Sequence, residues 1–252
     1  MPYTLTSESL SPNDAASLVE IDFDSFDMEL RQGRLDALEK MCAERSQSPG
    51  LSAEQLGWVR FFQGVVALRR GDSARAEEYL VAAAESAPLW VRNRVVALRS
   101  SLKVTDGDLS GARALLGPLM ANPPLEYGTL TVWGRILMAS GDENGAWRAF
   151  LDALEIAPTG IDAIHHIVSI GLKAGRVVTL KRALERFIEF EPENLNVRCF
   201  LSAACLAAGD VDRARREVKR VAAFAGLAPL DPDARGVLET VSRALPPEEG
   251  SP

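Results

Sequence analysis

Apolar and small residues recur at helical spacing along most of the chain, and this pattern is itself repeated. The two clearest copies run from Arg70 to Pro88 (RGDSARAEEYLVAAAESAP) and from Ser140 to Pro158 (SGDENGAWRAFLDALEIAP). In both, a Gly-Asp pair is followed by an alanine, a bulky apolar residue, a second alanine and a proline at matching positions. Spacings of three and four residues place such side chains on one face of a helix. Each copy therefore predicts an amphipathic helix with defined ends.

Glycines mark the predicted turns between helices at a nearly constant interval of 34 to 38 residues: Gly33, Gly71, Gly107, Gly141, Gly175 and Gly209. The middle four are each followed, seventeen residues later, by a proline: Pro88, Pro124, Pro158 and Pro192. Glycine allows the left-handed backbone that ends a helix, and an aspartate after it can cap the next helix. Proline then stops that helix. The chain is thus predicted to repeat a unit of helix A, turn, helix B and break, with Gly64 and Gly134 as points of close contact on helix A.

These landmarks resemble the tetratricopeptide repeat, a helix-turn-helix unit of about 34 residues. The matching residues are Gly64, Gly71, Ala76, Ala83 and Pro88 in one copy, and Gly134, Gly141, Ala146, Phe150, Ala153 and Pro158 in another. The resemblance implies an all-α fold, a right-handed α-solenoid of about six such repeats with a C-terminal capping helix. It also implies an interaction scaffold, but it names no partner, because this fold is reused for many functions.

The repeat divides the chain into three parts. Residues 1–17 are expected to be a partly disordered N-terminal tail, and residues 227–252 a capping helix, Pro232 to Leu245, followed by a frayed tail. Between them lies the solenoid, residues 18–226, with units near 18–50, 56–90, 91–125, 126–159, 160–193 and 194–226. The interior loop from Ser46 to Glu54 is the predicted hinge between the first repeat and the repeats that follow.

Composition narrows the classes of partner. The chain has 252 residues, 47% of them hydrophobic, and a net charge of −7. Contacts to phosphates need clustered Lys and Arg, so this charge disfavours a nucleic-acid partner. No signal peptide and no apolar run long enough to span a membrane are recognisable. We therefore expect a cytoplasmic protein without membrane insertion, and the abundance of Ala, Arg and Leu favours a bacterial source.

The sequence contains no recognisable catalytic or metal-binding motif. The only histidines, His165 and His166, are adjacent, so on a helix they point about 100° apart and cannot jointly hold one metal ion. We expect one to be half-buried between repeats and the other to lie on the inner face. Cys199 and Cys205 are expected to be small core residues. The protein is therefore interpreted as a non-enzyme with no cofactor and no metal.

Stacked repeats place their A helices along a concave groove, which is the predicted binding surface for a protein or peptide. The residues predicted to line it are Trp58, Phe61, Val65, Arg69, Arg94, Arg135, Met138 and His165. Trp and Arg are enriched at interface hot spots, so Trp58, Arg94 and Arg135 are the main candidates. The alternative is that Trp58 and Phe61 only pack in the core, as aromatic residues at helical spacing usually do.

Charge is unevenly distributed between the two ends of the chain. Residues 1–30 include seven acidic residues and no Lys or Arg, whereas one predicted helix near the C-terminus carries a candidate basic contact face of Arg213, Arg216, Lys219 and Arg220. This face is either a solvated helix surface or one half of a head-to-tail contact between molecules. The second interpretation predicts self-association that weakens with salt.

The leading hypothesis is a scaffold or adaptor that holds a peptide or helical segment of a partner in the concave groove. One alternative is a structural scaffold that assembles itself through the charged ends. Another is a regulatory subunit of a larger enzyme, or of a secretion or envelope-assembly complex. An RNA-binding helical repeat is disfavoured, because no base-reading pair of side chains recurs from repeat to repeat.

Overall fold

The computed structural model describes residues 23–224, 226 and 229–247, and every regular element in them is an α-helix. The chain divides into two compact units, of which unit 1 ends at Thr105 and unit 2 begins at Asp106. Unit 1 contains α1 (Phe23–Arg31), α2 (Leu35–Ser46), α3 (Ala53–Arg69), α4 (Ser73–Ser86) and α5 (Leu89–Thr105). Unit 2 contains α6 (Leu109–Met120), α7 (Tyr127–Ala139), α8 (Glu143–Ile156), α9 (Ile161–Lys173), α10 (Val177–Phe190), α11 (Leu195–Ala207), α12 (Val211–Phe224) and α13 (Pro232–Ala244). The predicted all-α fold of helix-turn-helix repeats is confirmed.

All six predicted turn glycines adopt a left-handed backbone. The angle φ is 70° at Gly33, 79° at Gly71, 80° at Gly107, 82° at Gly141, 68° at Gly175 and 79° at Gly209. Side chains with a Cβ are strained in this region, so the glycines let the chain reverse between helix A and helix B at low cost. The period read from the sequence is therefore the period of the structure.

The aspartates that follow four of these glycines cap the B helices, as predicted. The carboxylate oxygen Oδ1 accepts a hydrogen bond from the backbone N–H three residues later at Asp72 (3.1 Å), Asp108 (2.8 Å), Asp142 (2.8 Å) and Asp210 (3.2 Å). Such caps typically stabilise a helix by about 1 kcal/mol. The turn at Gly175 lacks this feature, because Arg176 stands at the cap position of α10 and makes no side-chain capping bond.

Helices A and B approach closely where helix A carries a glycine. A Cβ placed on Gly64 would lie 2.8 Å from the side chain of Leu80, and one on Gly134 would lie 2.7 Å from the ring of Phe150. Both glycines were predicted to be points of close contact on helix A, whereas the partners Leu80 and Phe150 were not predicted. Two further glycines of A helices make close contacts that the pattern did not single out. A Cβ on Gly57 in α3 would lie 2.5 Å from the backbone N of Ala87, and one on Gly171 in α9 would lie 3.1 Å from the ring of Trp147.

Each unit has its own hydrophobic core. Phe26, Phe62 and Leu80 are among the fully buried residues of unit 1, and Phe150 and Phe187 among those of unit 2. Helix α11 is buried on most of its circumference because α10, α12 and α13 all pack against it. None of the helices in the described parts of the chain is both long and apolar enough to cross a bilayer.

The C-terminal capping helix is present as α13, which begins at Pro232 as predicted and packs against α11 and α12. The predicted tail, residues 1–17, and the last five residues lie outside the described part of the chain. The division into two compact units falls at Thr105, inside the predicted third repeat. The hinge at Ser46–Glu54 joins α2 to α3 within unit 1, and it stays a prediction.

Candidate functional site

Unit 1 presents a cluster of two tryptophans and an arginine at the N-terminal ends of two A helices. Trp58 lies in the second turn of α3, whose start is fixed by a capping box between Ser52 and Gln55. Its ring meets the ring of Trp90, in the first turn of α5, edge to face with a centroid distance of 5.3 Å. The guanidinium of Arg94, one turn further along α5, lies 5.3 Å from the centroid of the Trp90 ring. We call Trp58, Trp90 and Arg94 the Trp-Arg cluster.

The Trp-Arg cluster is partly open to solvent, since Trp90 is 38% exposed and Trp58 is half-buried. An exposed cation over an aromatic ring is worth about 0.5–1 kcal/mol, which favours the placement of Arg94 over Trp90 by about two- to fivefold. Trp90 was not among the predicted groove residues, because it lies before the place where the repeat pattern expects an inward-facing side chain. It lies two residues after the helix-breaking Pro88, and that position was the available signal.

Two of the predicted groove residues lie in the core instead. Phe61 is 6% exposed and Val65 is 8% exposed, and both belong to the hydrophobic core of unit 1. Their side chains therefore stabilise the unit and offer little area to a partner, as the alternative interpretation of Phe61 anticipated. Arg69, the last residue of α3, is exposed.

In unit 2 one predicted residue, His165, is a member of the histidine pair, and another, Arg135, lies near His166. His166 is half-buried and its ring stacks on that of Phe150 with a centroid distance of 4.4 Å. Burial lowers the pKa of His166, and the nearby Arg135 guanidinium lowers it further. Arg135 is half-buried, as is Met138, which packs against the core of unit 2. His165 is exposed and meets the ring of Phe200 edge to face at 5.7 Å.

A groove with a volume of about 700 Å³ lies between α9, α11 and α13. Its apolar lining includes Leu172, Phe200 and Val237, and its polar groups include His165, Asp233 and Thr240. We call it the α13 groove. Half of its lining comes from the capping helix, so it exists only because α13 packs against α11. The sequence predicted that helix but offered no signal that it would form the wall of a groove.

The candidate basic face on α12 is less uniform than its sequence suggests. Arg213 is half-buried, and its Nε lies 2.9 Å from Oε1 of the buried Glu217. Arg216, Lys219 and Arg220 are exposed. The exposed charge of this face is therefore carried by three of the four predicted residues.

The cysteines have the environment of core residues, as predicted for Cys199 and Cys205. Burial raises the pKa of the Cys42 thiol to about 12, and that of the Cys199 and Cys205 thiols to about 11. These thiols are therefore protonated near neutral pH, whereas a nucleophilic cysteine acts as the thiolate. Across residues 23–224 and 229–247 no group of three or more His, Cys, Asp and Glu side chains could hold a metal ion.

Several solved structures share this arrangement of helices at low sequence identity. A chain of the Cut9-Hcn1 hetero-tetramer of the APC/C is similar with a TM-score of 0.63 and 13% identity, over 84% of this chain and 41% of that chain. A tetratricopeptide repeat protein from Parabacteroides merdae has a TM-score of 0.53 and 14% identity, over 88% and 84% of the two chains. A thermophilic one from Thermus thermophilus has a TM-score of 0.52 and 16% identity, over 74% and 99%.

These similarities concern the fold, and the chain spans about two fifths of the length of the Cut9-Hcn1 chain that it matches. No protein-family model matches the sequence, and no significant match exists among curated proteins. The protein has the tetratricopeptide-repeat fold, as the spacing of its glycines and prolines predicted.

Proposed function

We propose that the protein is a non-enzymatic interaction scaffold that binds a peptide or a helical segment of a partner protein on surfaces formed by its A helices. The observation that carries this proposal is the Trp-Arg cluster of unit 1. Trp90 remains 38% exposed although it contacts both Trp58 and Arg94. Trp and Arg together are the residues most enriched at interface hot spots.

The cluster suits a protein ligand because its parts differ in chemistry and are already arranged. The two indole rings offer flat apolar area, and Arg94 offers a planar cation that can bind a carboxylate or a backbone carbonyl. The contacts among the three side chains limit the rotamer entropy that is lost on binding. The α13 groove in unit 2 offers a second surface of this kind, with a mainly apolar lining that also contains His165 and Asp233.

The neighbouring structures support the same class of function without identifying a ligand. The Cut9-Hcn1 structure is a hetero-tetramer, so a chain with this fold is found there in complex with another protein. Placement in a bacterial cytoplasm and the lack of a nucleic-acid partner stay predictions from composition. The head-to-tail contact also stays a prediction, since most of its acidic half lies outside the described residues.

The proposal is tested by affinity capture from native lysate with charge-reversal variants at each surface. Arg94→Glu reverses the charge in the Trp-Arg cluster, and Arg135→Glu reverses the charge at one of the predicted groove residues of unit 2. The matched control is Arg148→Glu, the same change at an exposed position of α8, which is a B helix. All variants are first compared with wild type by circular dichroism and thermal unfolding, because Arg135 is half-buried.

We expect a partner that wild type and the Arg148→Glu variant retain and that the Arg94→Glu variant loses. Loss with Arg135→Glu alone would place the binding surface in unit 2 instead. Retention by both variants would exclude the Trp-Arg cluster and the Arg135 region of α7 as the binding surface, and would remove the observation that carries the proposal. Turnover of a generic ester, phosphate or nucleotide substrate by the purified protein would contradict the non-enzymatic part.

A further inference from the structure

The first two turns of α5 expose apolar and cationic side chains together. Leu89 is 72% exposed, the largest fraction among the large apolar residues of the described chain, and Trp90 beside it is 38% exposed. Arg92 and Arg94 are both exposed on the same two turns. Single apolar residues are normal on a protein surface, but apolar side chains next to cations suit a ligand that is both apolar and acidic.

Helices α3 and α5 carry an excess of positive charge, although the whole chain has a net charge of −7. The acidic residue of these two helices is Glu54, in the first turn of α3. Their six basic residues are Arg60, Arg69, Arg92, Arg94, Arg99 and Lys103. Arg99 forms an ion pair with Glu77 of α4 at 2.6 Å. With this pair and Glu54 each offsetting one charge, the two neighbouring helices keep a clear positive excess.

The N-terminal part of the sequence has the complementary composition. Residues 1–22 contain no Lys, Arg or His, and their acidic residues are Glu8, Asp14, Glu20 and Asp22. The same residues include several apolar side chains, among them Tyr3, Leu5, Leu10, Leu18, Val19 and Ile21. We call residues 1–22 the acidic segment.

The acidic segment joins unit 1 close to the Trp-Arg cluster, because it continues directly into α1, which begins at Phe23. The ring of Phe26 in the first turn of α1 meets the ring of Phe62 in α3 at a centroid distance of 5.1 Å. Phe62 lies about one helical turn after Trp58. The start of α1 is therefore beside the helix that carries part of the cluster. Twenty-two residues can span up to about 70 Å, far more than this separation requires.

We infer that the acidic segment folds back onto unit 1 and covers the Trp-Arg cluster, with its carboxylates toward Arg92 and Arg94 and its apolar side chains on Leu89 and Trp90. This inference rests on the proposed function, because the covered surface is the one proposed to bind the partner. The segment then competes with the partner for the same side chains. The contact differs from head-to-tail assembly, since the acidic segment meets α5 of its own molecule and not α12 of another.

The contact needs little intrinsic affinity because the acidic segment is part of the same chain. A tethered segment acts at an effective concentration on the order of millimolar. A dissociation constant of about 1 mM therefore keeps the cluster covered about half of the time, which weakens partner binding about twofold. Salt screens attraction between exposed charges, so the contact should weaken as the ionic strength rises.

A paramagnetic label on the acidic segment tests the inference in the full chain without any partner. Ser9→Cys introduces a specific labelling site, because the three native cysteines are buried. At low salt, a nitroxide attached there should weaken the NMR signals of the Trp58 and Trp90 indole N–H groups at least about twofold relative to the reduced label. Arg94→Glu should restore both signals, whereas Arg148→Glu at an exposed position of α8 should not.

Neutralisation of the acidic segment tests the charge that selects it. The variant combines Glu8→Gln, Asp14→Asn, Glu20→Gln and Asp22→Asn, and it should also restore the signals. The matched control makes four equivalent changes at exposed positions of B helices, namely Glu78→Gln, Glu85→Gln, Asp152→Asn and Glu189→Gln. The control should keep the weakened signals. In affinity capture from native lysate, the neutralised segment should retain about twofold more partner than the control does.

Full signals of Trp58 and Trp90 in the labelled protein, or equal effects of Arg94→Glu and Arg148→Glu, would overturn the inference. A mixture of isotope-labelled protein without nitroxide and nitroxide-labelled protein without isotope separates the two possible origins of the contact. Weakened signals in that mixture would assign the contact to a second copy and overturn the fold-back. Equal capture by the neutralised variant and its control would overturn the competition. The NMR outcomes need no partner, so they are distinct from a failure of the proposed function, which capture reports.

Discussion

Replacement of Gly134 by alanine tests the closest contact between helices A and B in unit 2. The added Cβ would lie 2.7 Å from Cε1 and Cζ of Phe150 and 2.9 Å from Cδ1. Real Cβ atoms do not approach other atoms this closely, so the ring or the helix must move. Phe150 is fully buried and stacks on His166 at 4.4 Å, so the ring cannot withdraw without giving up that contact.

The expected magnitude follows from two opposing effects. Overpacking a well-packed core costs about 1–3 kcal/mol, whereas alanine is better than glycine inside a helix by about 1 kcal/mol. The net loss in the free energy of unfolding is therefore about 1 kcal/mol, which lowers Tm by about 2–4 °C in a protein of this size. The matched control is Gly128→Ala in the same helix, where a Cβ meets nothing within 4 Å and stability should stay equal or rise slightly.

The assay is urea unfolding with hydrogen exchange of the α7 and α8 amides as a local measure, because repeat proteins need not unfold in one step. A double-mutant cycle with Phe150→Leu isolates the contact. In the Phe150→Leu background the alanine has room, so Gly134→Ala should no longer destabilise the protein. Equal stability of the Gly134→Ala and Gly128→Ala variants, or an absence of coupling in the cycle, would refute this account of the packing.

Three further outcomes follow from the structure. Gly141→Val should lower the free energy of unfolding, measured by urea titration, by about 1–2 kcal/mol. The reason is that φ is 82° at this turn, where a β-branched residue is strained. Glu217→Ala should lower the free energy of unfolding by about 3–5 kcal/mol, measured by thermal unfolding, because it leaves the buried charge of Arg198 without its ion-pair partner. Arg198 is 4% exposed and lies 2.6 Å from the Glu217 carboxylate. The double variant Arg198→Met/Glu217→Leu should recover most of that loss. Burial lowers the pKa of His166 in the folded state, so the unfolded chain binds more protons below pH ~6.5 and wild type should lose stability as the pH falls through that value. The stability of the His166→Phe variant should change less between about pH 7.5 and 5.5 than that of wild type. Parallel curves of stability against pH for the two proteins would contradict this role of His166.

The repeat was predictable because it depends on local backbone chemistry. A positive φ at Gly141, a capping carboxylate at Asp142 and a helix stop at Pro158 are each decided within a few residues. Their regular spacing then predicted the number and order of the helices. The close contact at Gly134 also followed, because helix A and helix B of one repeat are joined by a short turn and must pack together.

The candidate site was only partly predictable, because exposure depends on packing between repeats. Helical spacing places Trp58 and Phe61 on related positions of α3, yet Phe61 is buried and Trp58 is partly exposed. The surroundings of Trp58 come from the neighbouring helix α5, where Trp90 meets the Trp58 ring and Arg94 lies over the Trp90 ring. No pattern within α3 carries that information.

The sequence by itself determined the helices, their turns, their order and the fold class, since these follow from short-range rules of backbone geometry and helix periodicity. Only the tertiary structure decided which side chains remain exposed, namely the Trp-Arg cluster and the lining of the α13 groove. The physical reason is that burial is a property of surfaces that meet across helices distant in the chain. Thus Trp90 follows an ordinary helix start in the sequence, and only the packing of α5 beside α3 brings its ring against Trp58.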